Sequence, residues 1–394
     1  MTEKNHASLA PATRLAHAGR DPEGGAFVNP PVVHASTVLF ESVAQMKGKA
    51  AKPARWTYGR RGTPTSEALE TAISDLEGAE GTVLTPSGAS ACGMALLAVL
   101  SAGDHLLMID SVYAPTRIVC DGLLKRFGIE TTYFDPLIGE GLAALIRPNT
   151  RAIFLEAPGS LTFEMPDVPA IARIARERDI LTLIDNTWAT PLFFRPLDHG
   201  VDVSIMAATK YVVGHSDALV GTIACGPRAW KQVKSAHGDL GMFTGPDDMY
   251  LALRGLRTMG VRLAHHQKSA LAIAEWFAAR PEVARVLYPA LPSDPGHAIW
   301  KRDFAGASGL FGVVMKGGSD AATAAFLDHL ALFGLGYSWG GFESLAIPAE
   351  PTAIRSAVPW KAEGQLLRFQ IGLEDTADLI ADLDAGLARW RAAL

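Results

Sequence analysis

The chain has 394 residues, of which 48% are hydrophobic and 20% are charged. These proportions are typical of a folded protein, and they exclude a disordered chain, a collagen and a small disulfide-stapled domain. At about 150 residues per domain, the length predicts two or three domains. The net charge of −5 disfavours nucleic acids and anionic membranes as partners, because both bind basic surfaces.

The cysteines and the hydropathy pattern predict a cytoplasmic protein. The chain contains Cys92, Cys120 and Cys225, and none of them forms a C-x-x-C pair. Since an odd number of thiols cannot all pair within one chain, the sequence favours a reducing compartment. The first residues lack the apolar segment of a secretory signal. No apolar run approaches the roughly 20 residues that a membrane span needs, so we expect no membrane association.

Composition changes along the chain divide it into three parts. Residues 1–60 are punctuated by Gly24-Gly25, Pro30-Pro31 and Gly59 and have no persistent helical period. Because such a long irregular stretch is unusual inside a compact domain, we expect an N-terminal arm that covers another surface, such as a neighbouring subunit. The sequence predicts an α/β domain at residues 61–250. A connecting helix and a smaller C-terminal α/β domain are predicted at residues 251–394.

Strands and helices are predicted to alternate in the second part. A helix opens near Ser66, with acidic residues in its first turn. Short apolar runs, interpreted as buried strands, follow at residues 82–84, 105–109, 152–155, 180–184, 203–206 and 219–224. Helical segments such as residues 168–178 separate the first several of them. Runs that are apolar throughout indicate strands covered on both faces, as in a large, mostly parallel sheet.

The third part is predicted to carry a sheet of its own. A helical segment at about residues 248–280 is expected to connect it to the second part. The strand-rich and then helical pattern that follows comprises residues 283–287, 309–315, 321–332, 366–371 and 376–391. We interpret this pattern as the smaller α/β domain.

Four strand ends carry residues that a packed core would not select, and ligands collect at such ends in open α/β sheets. They are Thr85-Pro86-Ser87-Gly88-Ala89-Ser90, Tyr113, Asp185 and Lys210. The small-residue segment precedes a helix, whose N-terminus can bind an anion. Taken singly, each feature has an ordinary explanation: a tight turn, a rim tyrosine, a helix N-cap and an exposed loop lysine.

The combination of these four features points to chemistry. Lys210 follows Asp185 by 25 residues and comes after an apolar strand and small residues. A lysine in such surroundings is desolvated and loses its proton readily, which makes it a nucleophile. The carboxylate at a strand end can pair with a ring nitrogen, and the small-residue loop can bind a phosphate. Together with the lysine, these groups suit pyridoxal phosphate.

Several motifs resemble those of the Cys/Met-metabolism pyridoxal phosphate family. They are Tyr58-Gly59-Arg60, Ile184-Asp185-Asn186-Thr187-Trp188-Ala189-Thr190-Pro191, Ala208-Thr209-Lys210-Tyr211-Val212-Val213-Gly214-His215-Ser216-Asp217, Arg254-Gly255-Leu256-Arg257-Thr258, Gly340-Gly341-Phe342-Glu343-Ser344-Leu345 and Ile371-Gly372-Leu373-Glu374. The resemblance extends from about residue 12 to residue 390. It implies the type I fold of pyridoxal phosphate enzymes, which is aspartate-aminotransferase-like. It also implies a homotetramer built as a dimer of dimers.

The resemblance also implies roles for individual residues. Lys210 is the lysine that binds the cofactor covalently and acts as the catalytic base, and Asp185 pairs with the ring nitrogen. Tyr113 stacks on the ring and moves a proton during catalysis. The remaining cofactor contacts are backbone groups of Gly88 and Ala89 and the side chain of Thr209, which bind the phosphate.

Further residues are implied at the substrate end of the site and at a subunit interface. Tyr58 and Arg60 reach the phosphate from the neighbouring subunit. Arg368 binds the substrate α-carboxylate as a bidentate pair. Ser338 and Trp339 line the substrate pocket, together with Tyr113. The resemblance implies no metal.

Members of the family act at either the β or the γ carbon of sulfur-containing amino acids. Tyr337-Ser338-Trp339-Gly340-Gly341 resembles the β-acting members, as does the alanine at position 207. The segment after Val112 lacks the cysteine expected of methionine-cleaving γ-acting members. The expected reaction is therefore β-elimination of cystathionine to homocysteine, pyruvate and ammonia, with cystine or cysteine as further substrates. One departure is that residues 237–240 contain no counterpart of a tyrosine that some β-acting members place there.

Other classes of function stay open at this stage. A γ-acting enzyme on the same scaffold is the nearest alternative. The absence of G-x-G-x-x-G counts against a nucleotide-dependent dehydrogenase. A non-catalytic binding protein would have no need of Lys210. The adjacent pair His265-His266 lacks the i, i+4 spacing of a zinc hydrolase.

Overall fold

The computed structural model describes residues 9–20, 27–361 and 363–394, and its largest element is a seven-stranded sheet. The strands are β1 (Gly81–Thr85), β2 (His105–Ile109), β3 (Glu130–Phe134), β4 (Thr150–Glu156), β5 (Leu181–Asp185), β6 (Val203–Ala207) and β7 (Gly221–Cys225). They lie in the order β1-β7-β6-β5-β4-β2-β3. Strands β2 to β6 pair in parallel, whereas β7 is antiparallel to both β1 and β6.

Helices cover both faces of this sheet. The α-helices are α1 (Pro11–His17), α2 (Val43–Met46), α3 (Pro64–Glu77), α4 (Gly88–Val99), α5 (Ala114–Val119), α6 (Val168–Arg176), α7 (Thr190–Phe193), α8 (Pro227–Asp239), α9 (Pro246–Leu256), α10 (Met259–Ala278), α11 (His297–Asp303), α12 (Asp320–Leu327) and α13 (Thr376–Ala392). Val83 of β1 lies in a hydrophobic cluster with Ala95 of α4, and the next residue, Leu84, lies in a second cluster with Ile73 of α3. Because successive strand residues point to opposite faces, burial of both explains the unbroken apolar runs.

The prediction of a large, mostly parallel sheet is confirmed, but the sequence missed β3. This strand pairs only with β2, at the edge of the sheet. Its burial increases from an exposed Glu130 through partly buried residues to a buried Phe134. An edge strand with one wet face does not need an unbroken apolar run, so the pattern used for the other strands did not identify it.

The smaller sheet has four strands, β8 (Val283–Leu287), β9 (Leu310–Met315), β10 (Leu345–Ala349) and β11 (Leu366–Gln370). Their order is β10-β11-β9-β8 and every pairing is antiparallel. Phe369 packs against Phe277 and Phe311, which joins β11 to α10 and β9 in one aromatic core. The sequence missed β10. It contains Pro348, which is tolerated there because β10 is an edge strand.

The connection between the two sheets is not one helix. The segment expected at residues 248–280 divides into α9 and α10, with Thr258 between them in a non-helical conformation. Near the end of α9, a Cβ atom on Gly255 would lie 2.2 Å from the carbonyl oxygen of Val213. A glycine therefore lets this helix end pack directly on the backbone that follows Lys210.

Residues 27–62 contain little regular structure, and they leave apolar side chains exposed. Apart from α2, they form a short 3₁₀ turn at Gly59–Arg61. The exposed fractions of Phe27 and Leu39 are 79% and 88%. These two side chains therefore stay largely uncovered by the rest of their own chain. The arm that covers a neighbouring subunit, and the boundaries at residues 60 and 250, stay predictions. No helix among the described residues is both long and apolar enough to cross a membrane.

A fully buried carboxylate ties the C-terminal part of the chain to the large sheet. Asp110 follows β2 and accepts hydrogen bonds of 3.0 Å from the backbone N–H groups of residues 356–358. It also accepts hydrogen bonds from the guanidinium groups of Arg117 and Arg355. Burial alone would raise the pKa of Asp110, but the backbone donors and the two arginines outweigh it and hold that pKa below its usual value.

We expect Asp110→Ala to lower the free energy of unfolding by about 3–5 kcal/mol, because it removes the buried anion between two guanidinium groups and leaves three backbone N–H groups unpaired. Urea unfolding followed by circular dichroism measures the effect as a fall in midpoint. Asp328→Ala is the control, since Asp328 is exposed and makes no side-chain hydrogen bond. A loss as small as that of the control contradicts the role given to Asp110.

Candidate active site

A cavity of about 700 Å³ lies where the carboxyl ends of β4, β5 and β6 face β10 and β11 of the smaller sheet. It therefore occupies the position where ligands collect in open α/β sheets. Eight of the residues singled out in the sequence line it, namely Gly88, Ala89, Tyr113, Asp185, Thr209, Lys210, Trp339 and Arg368. Ser338 joins them through its contact with Lys210.

Lys210 presents an amine of weakened basicity to this cavity. It lies in the turn after β6, and its Nζ is 2.5 Å from the hydroxyl of Ser338 and 5.3 Å from the ring centre of Trp339. Burial and the charge of Arg368 lower the pKa of Lys210 to about 8, although Asp185 opposes the shift. About a tenth of the amine is therefore neutral at pH 7, far more than for an ordinary lysine.

The loop that carries Ser338 and Trp339 packs directly on the backbone at Lys210. Ser338 has a φ of 77° and Gly340 a φ of 84°. A Cβ atom on Gly340 would lie 2.9 Å from the carbonyl carbon of Lys210. Arg368 of β11 donates from Nη2 to the carbonyl oxygen of Ser338 at 3.0 Å. One tight loop thus joins the lysine to the arginine.

Asp185 stands at the end of β5 and retains capacity for one more hydrogen-bond donor. Its Oδ1 accepts from the N–H of Thr187 at 3.0 Å and from the Thr187 hydroxyl. Its Oδ2 receives only a 3.8 Å contact from the thiol of Cys92. Burial raises the pKa of Asp185, while the bonds from Thr187 and the charge of Lys210 oppose the rise. A cationic N–H donor in the cavity would favour the ionised form.

The first turn of α4 offers backbone donors to the cavity. Ser87 caps the helix by accepting from the N–H of Ser90, and Ser90 caps the Ser87 N–H in return. The N–H groups of Gly88 and Ala89 have no acceptor in the described structure, and both residues line the cavity. A helix start with free N–H groups is suited to an anion such as a phosphate.

Tyr113 is held by a carboxyl group that the sequence interpretation missed. Its side chain is 43% exposed at the cavity, and its backbone N–H donates to Oε2 of Glu156 at 2.7 Å. Burial and the nearby charge of Asp185 raise the pKa of Glu156 well above its usual value. Glu156 ends β4 just as Asp185 ends β5, so the rule of polar residues at strand ends could have found it.

Burial, with the charges of Asp185 and Glu156, also raises the pKa of Tyr113. Its phenol therefore stays protonated at neutral pH and is a hydrogen donor. Thr209 faces the cavity, but its hydroxyl is engaged with the backbone of Val220, accepting at 3.0 Å and donating at 3.3 Å. Its part in binding an anion stays a prediction.

The structure does not bring Tyr58 and Arg60 to the cavity of their own chain. Tyr58 is 45% exposed, and Arg60 donates to the carbonyl oxygen of Gly238 at 2.9 Å. Neither residue lines the cavity. Their predicted role at a neighbouring subunit stays a prediction. Across residues 9–20, 27–361 and 363–394, no three His, Cys, Asp or Glu side chains are grouped as metal ligands.

The donors around the cavity match the parts of one cofactor. A lysine of low pKa suits an aldehyde, Asp185 suits a protonated ring nitrogen, and the free N–H groups of α4 suit a phosphate. Such a site on this fold defines a pyridoxal phosphate-dependent enzyme. The model of the Cys/Met metabolism PLP-dependent enzyme family matches residues 12–388, and the chain belongs to this family.

Named relatives and a solved structure agree with this assignment. Cystathionine beta-lyase MetC of Escherichia coli is 47% identical over 387 residues, which cover 96% of this chain and 98% of that protein. Cystathionine beta-lyase of Salmonella typhimurium is 45% identical, covering 96% and 98%. A crystal structure of cystathionine gamma synthase from Xanthomonas oryzae pv. oryzae, in complex with aminoacrylate and cysteine, has a TM-score of 0.89 at 33% identity. That alignment covers 98% of this chain and 100% of the solved chain.

We expect the purified protein to be yellow after reconstitution with pyridoxal phosphate, and Lys210→Ala to lack the visible band, because no other amine at the cavity can bind the aldehyde. Absorption spectra after gel filtration measure this. Lys268→Ala is the matched control, since Lys268 is exposed and remote from the cavity lining. A visible band of equal strength in Lys210→Ala would contradict the assignment.

Proposed function

We propose that this protein is a cystathionine beta-lyase, which cleaves L-cystathionine by β-elimination to homocysteine and aminoacrylate, and water then hydrolyses the aminoacrylate to pyruvate and ammonia. The relatives at 45–47% identity that bear this name support the proposal, and the γ-acting solved structure stands at 33% identity. The observation that carries it is the presence of the Trp339 ring at the cavity, 5.3 Å from a Lys210 Nζ that is hydrogen-bonded to Ser338.

This arrangement favours β-elimination because that reaction needs a base at one substrate atom only. Proton removal from Cα suffices to expel a sulfur group from Cβ, whereas γ-elimination also requires proton transfer at Cβ. In this proposal the Trp339 ring, which lines the cavity 5.3 Å from the Lys210 Nζ, packs on the thioether chain of the substrate and limits the amine to Cα. The pKa of about 8 lets Lys210 accept the proton near neutral pH.

The other residues bind the substrate and the cofactor in this proposal. Arg368 keeps its positive charge, although burial lowers its pKa to about 10, and binds the substrate α-carboxylate. Pyridoxal phosphate supplies an electron-withdrawing ring that makes the Cα proton acidic. Asp185 holds a proton at the ring nitrogen, the start of α4 binds the phosphate, and Tyr113 packs on the ring and donates its phenolic proton.

The assembly and the compartment are part of the same proposal. A homotetramer made of two dimers would place Tyr58 and Arg60 of one subunit at the phosphate of its neighbour. The exposed apolar residues of the arm support a partner surface, since Leu39 and Phe27 are uncovered in the single chain. The three cysteines are buried and unpaired, as a cytoplasmic enzyme requires.

The products of the reaction with L-cystathionine test the proposed specificity. We expect pyruvate and homocysteine as the main products, separated by chromatography and identified by mass. Ser338→Ala should lower kcat/KM about 10-fold, because it removes a hydrogen bond to the Lys210 amine. 2-Oxobutyrate and cysteine as main products would contradict β-elimination and leave the family and the cofactor intact.

Mixing two inactive variants tests the shared site. We expect Arg60→Ala and Lys210→Ala to be nearly inactive alone, and their mixture to regain up to about a quarter of wild-type activity per subunit. A mixed dimer has one intact site, because each site would combine residue 60 of one subunit with residue 210 of the other. Subunit exchange is followed by native mass spectrometry. Complete exchange without recovery would place both residues in the same subunit's site.

A further inference from the structure

One carboxylate at the cavity has no partner. Three carboxyl groups line it, and the two at its floor are committed, since Asp185 is bound by Thr187 and Glu156 by the N–H of Tyr113. Glu350, the third, is exposed at the rim. It makes no hydrogen bond or ion pair with any described residue. Glu350 is therefore available to bind a cationic group that enters the cavity.

The sheet register sets the distance from Glu350 to Arg368. Ile347 of β10 lies directly opposite Arg368 of β11, and Ile347, Ala349 and Arg368 all line the cavity. Glu350 follows three residues after Ile347. At a rise of about 3.3 Å per residue, the backbone of Glu350 lies roughly 10 Å along the strand from Ile347, the residue opposite Arg368.

The backbone on both sides of Glu350 is held in place. Before it, β10 is hydrogen-bonded to β11. After it comes the 3₁₀ turn Pro351–Ile354, which ends at Arg355. The Arg355 side chain is 3% exposed and pairs with Asp110 at 3.2 Å and with Glu164 at 2.9 Å. Glu350 therefore lies on a backbone segment that is held by the smaller sheet on one side and, through Arg355 and Asp110, by the large sheet on the other.

The substrate of the proposed function has a feature that the residues described so far do not bind. Cystathionine carries an amino acid group at each end. Its two α-carbons are separated by five single bonds, which span on the order of 6 Å when extended. With the proximal carboxylate on Arg368, the distal ammonium group lies several ångströms away along the cavity. The cations of Lys210 and Arg368 repel this ammonium, so it needs an anion at the other end.

We propose that Glu350 binds the distal ammonium group of the substrate. The inference rests on the proposed function, and it makes Glu350 a specificity-determining residue. It selects thioether and disulfide substrates with an amino group at both ends over S-substituted cysteines that lack the distal one. Because Lys210 and Arg368 act at the proximal end, Glu350 contributes to substrate binding without taking part in the cleavage.

The test compares two substrates that differ only in the distal amino group. They are L-cystathionine and S-(3-carboxypropyl)-L-cysteine, assayed for pyruvate with the wild-type holoenzyme, Glu350→Gln and Glu350→Ala. We expect both variants to lower kcat/KM for L-cystathionine about 5- to 10-fold, mainly through KM. With S-(3-carboxypropyl)-L-cysteine we expect no loss, or a gain, because Glu350 repels its distal carboxylate. Glu343→Gln is the control, since Glu343 is exposed near the opposite end of β10 and does not line the cavity.

Each outcome decides the matter. Equal losses of kcat/KM on both substrates would show that Glu350 supports the structure of the cavity and does not bind the distal amino group, which overturns the inference. A loss in Glu350→Ala with none in Glu350→Gln would overturn it too, because the charge would then be irrelevant. If the wild type forms pyruvate from neither substrate, the proposed function itself fails. If the wild type forms pyruvate from both substrates and the Glu350 variants keep the wild-type kcat/KM, only the role of Glu350 is contradicted.

Discussion

The burial of an amine beside a guanidinium group is the constraint on which the rest of the site depends. Lys210 and Arg368 face the same cavity, and burial there lowers the pKa of both side chains. Two cations so placed repel each other, and the contacts of both with Ser338 and the negative charge of Asp185 oppose that repulsion. The arrangement persists because the residues that hold it, a tight loop and two strand ends, are fixed by packing elsewhere.

The fold supplies this packing from three separate parts of the chain. Strands β5 and β6 are parallel neighbours, so Asp185 and the turn that carries Lys210 leave the sheet at the same edge. Strand β11 brings Arg368 from the other sheet. The loop at Ser338 then closes on the backbone of Lys210, where Gly340 leaves no room for a side chain. A substitution at Gly340 would strain a positive φ and push the loop off the lysine.

Sequence reasoning could predict the residues whose environment is encoded locally. Asp185 and Lys210 stand at the ends of apolar strands, and that pattern alone indicates burial. Glu156 obeys the same rule and was overlooked because no motif drew attention to it. Asp110 also follows an apolar strand, but its role could not be predicted, because its partner Arg355 lies 245 residues away and the contact exists only in the folded chain. The role predicted for Tyr58 and Arg60 involves a second chain, so it stays a prediction.

The link between Asp110 and Arg355 joins the two ends of the site. Asp110 lies three residues before Tyr113, at the floor where proton transfer is proposed, and Arg355 lies five residues after Glu350 at the rim. The same buried ion pair therefore fixes the catalytic end to the wall that faces the distal part of a substrate. The distance between Arg368 and Glu350 is set within the smaller sheet by the register of β10 and β11, and the ion pair holds this part of the smaller sheet against the large sheet. The length of a bound substrate is thus matched along one strand pair, and the packing of the two sheets sets where that pair stands relative to Lys210.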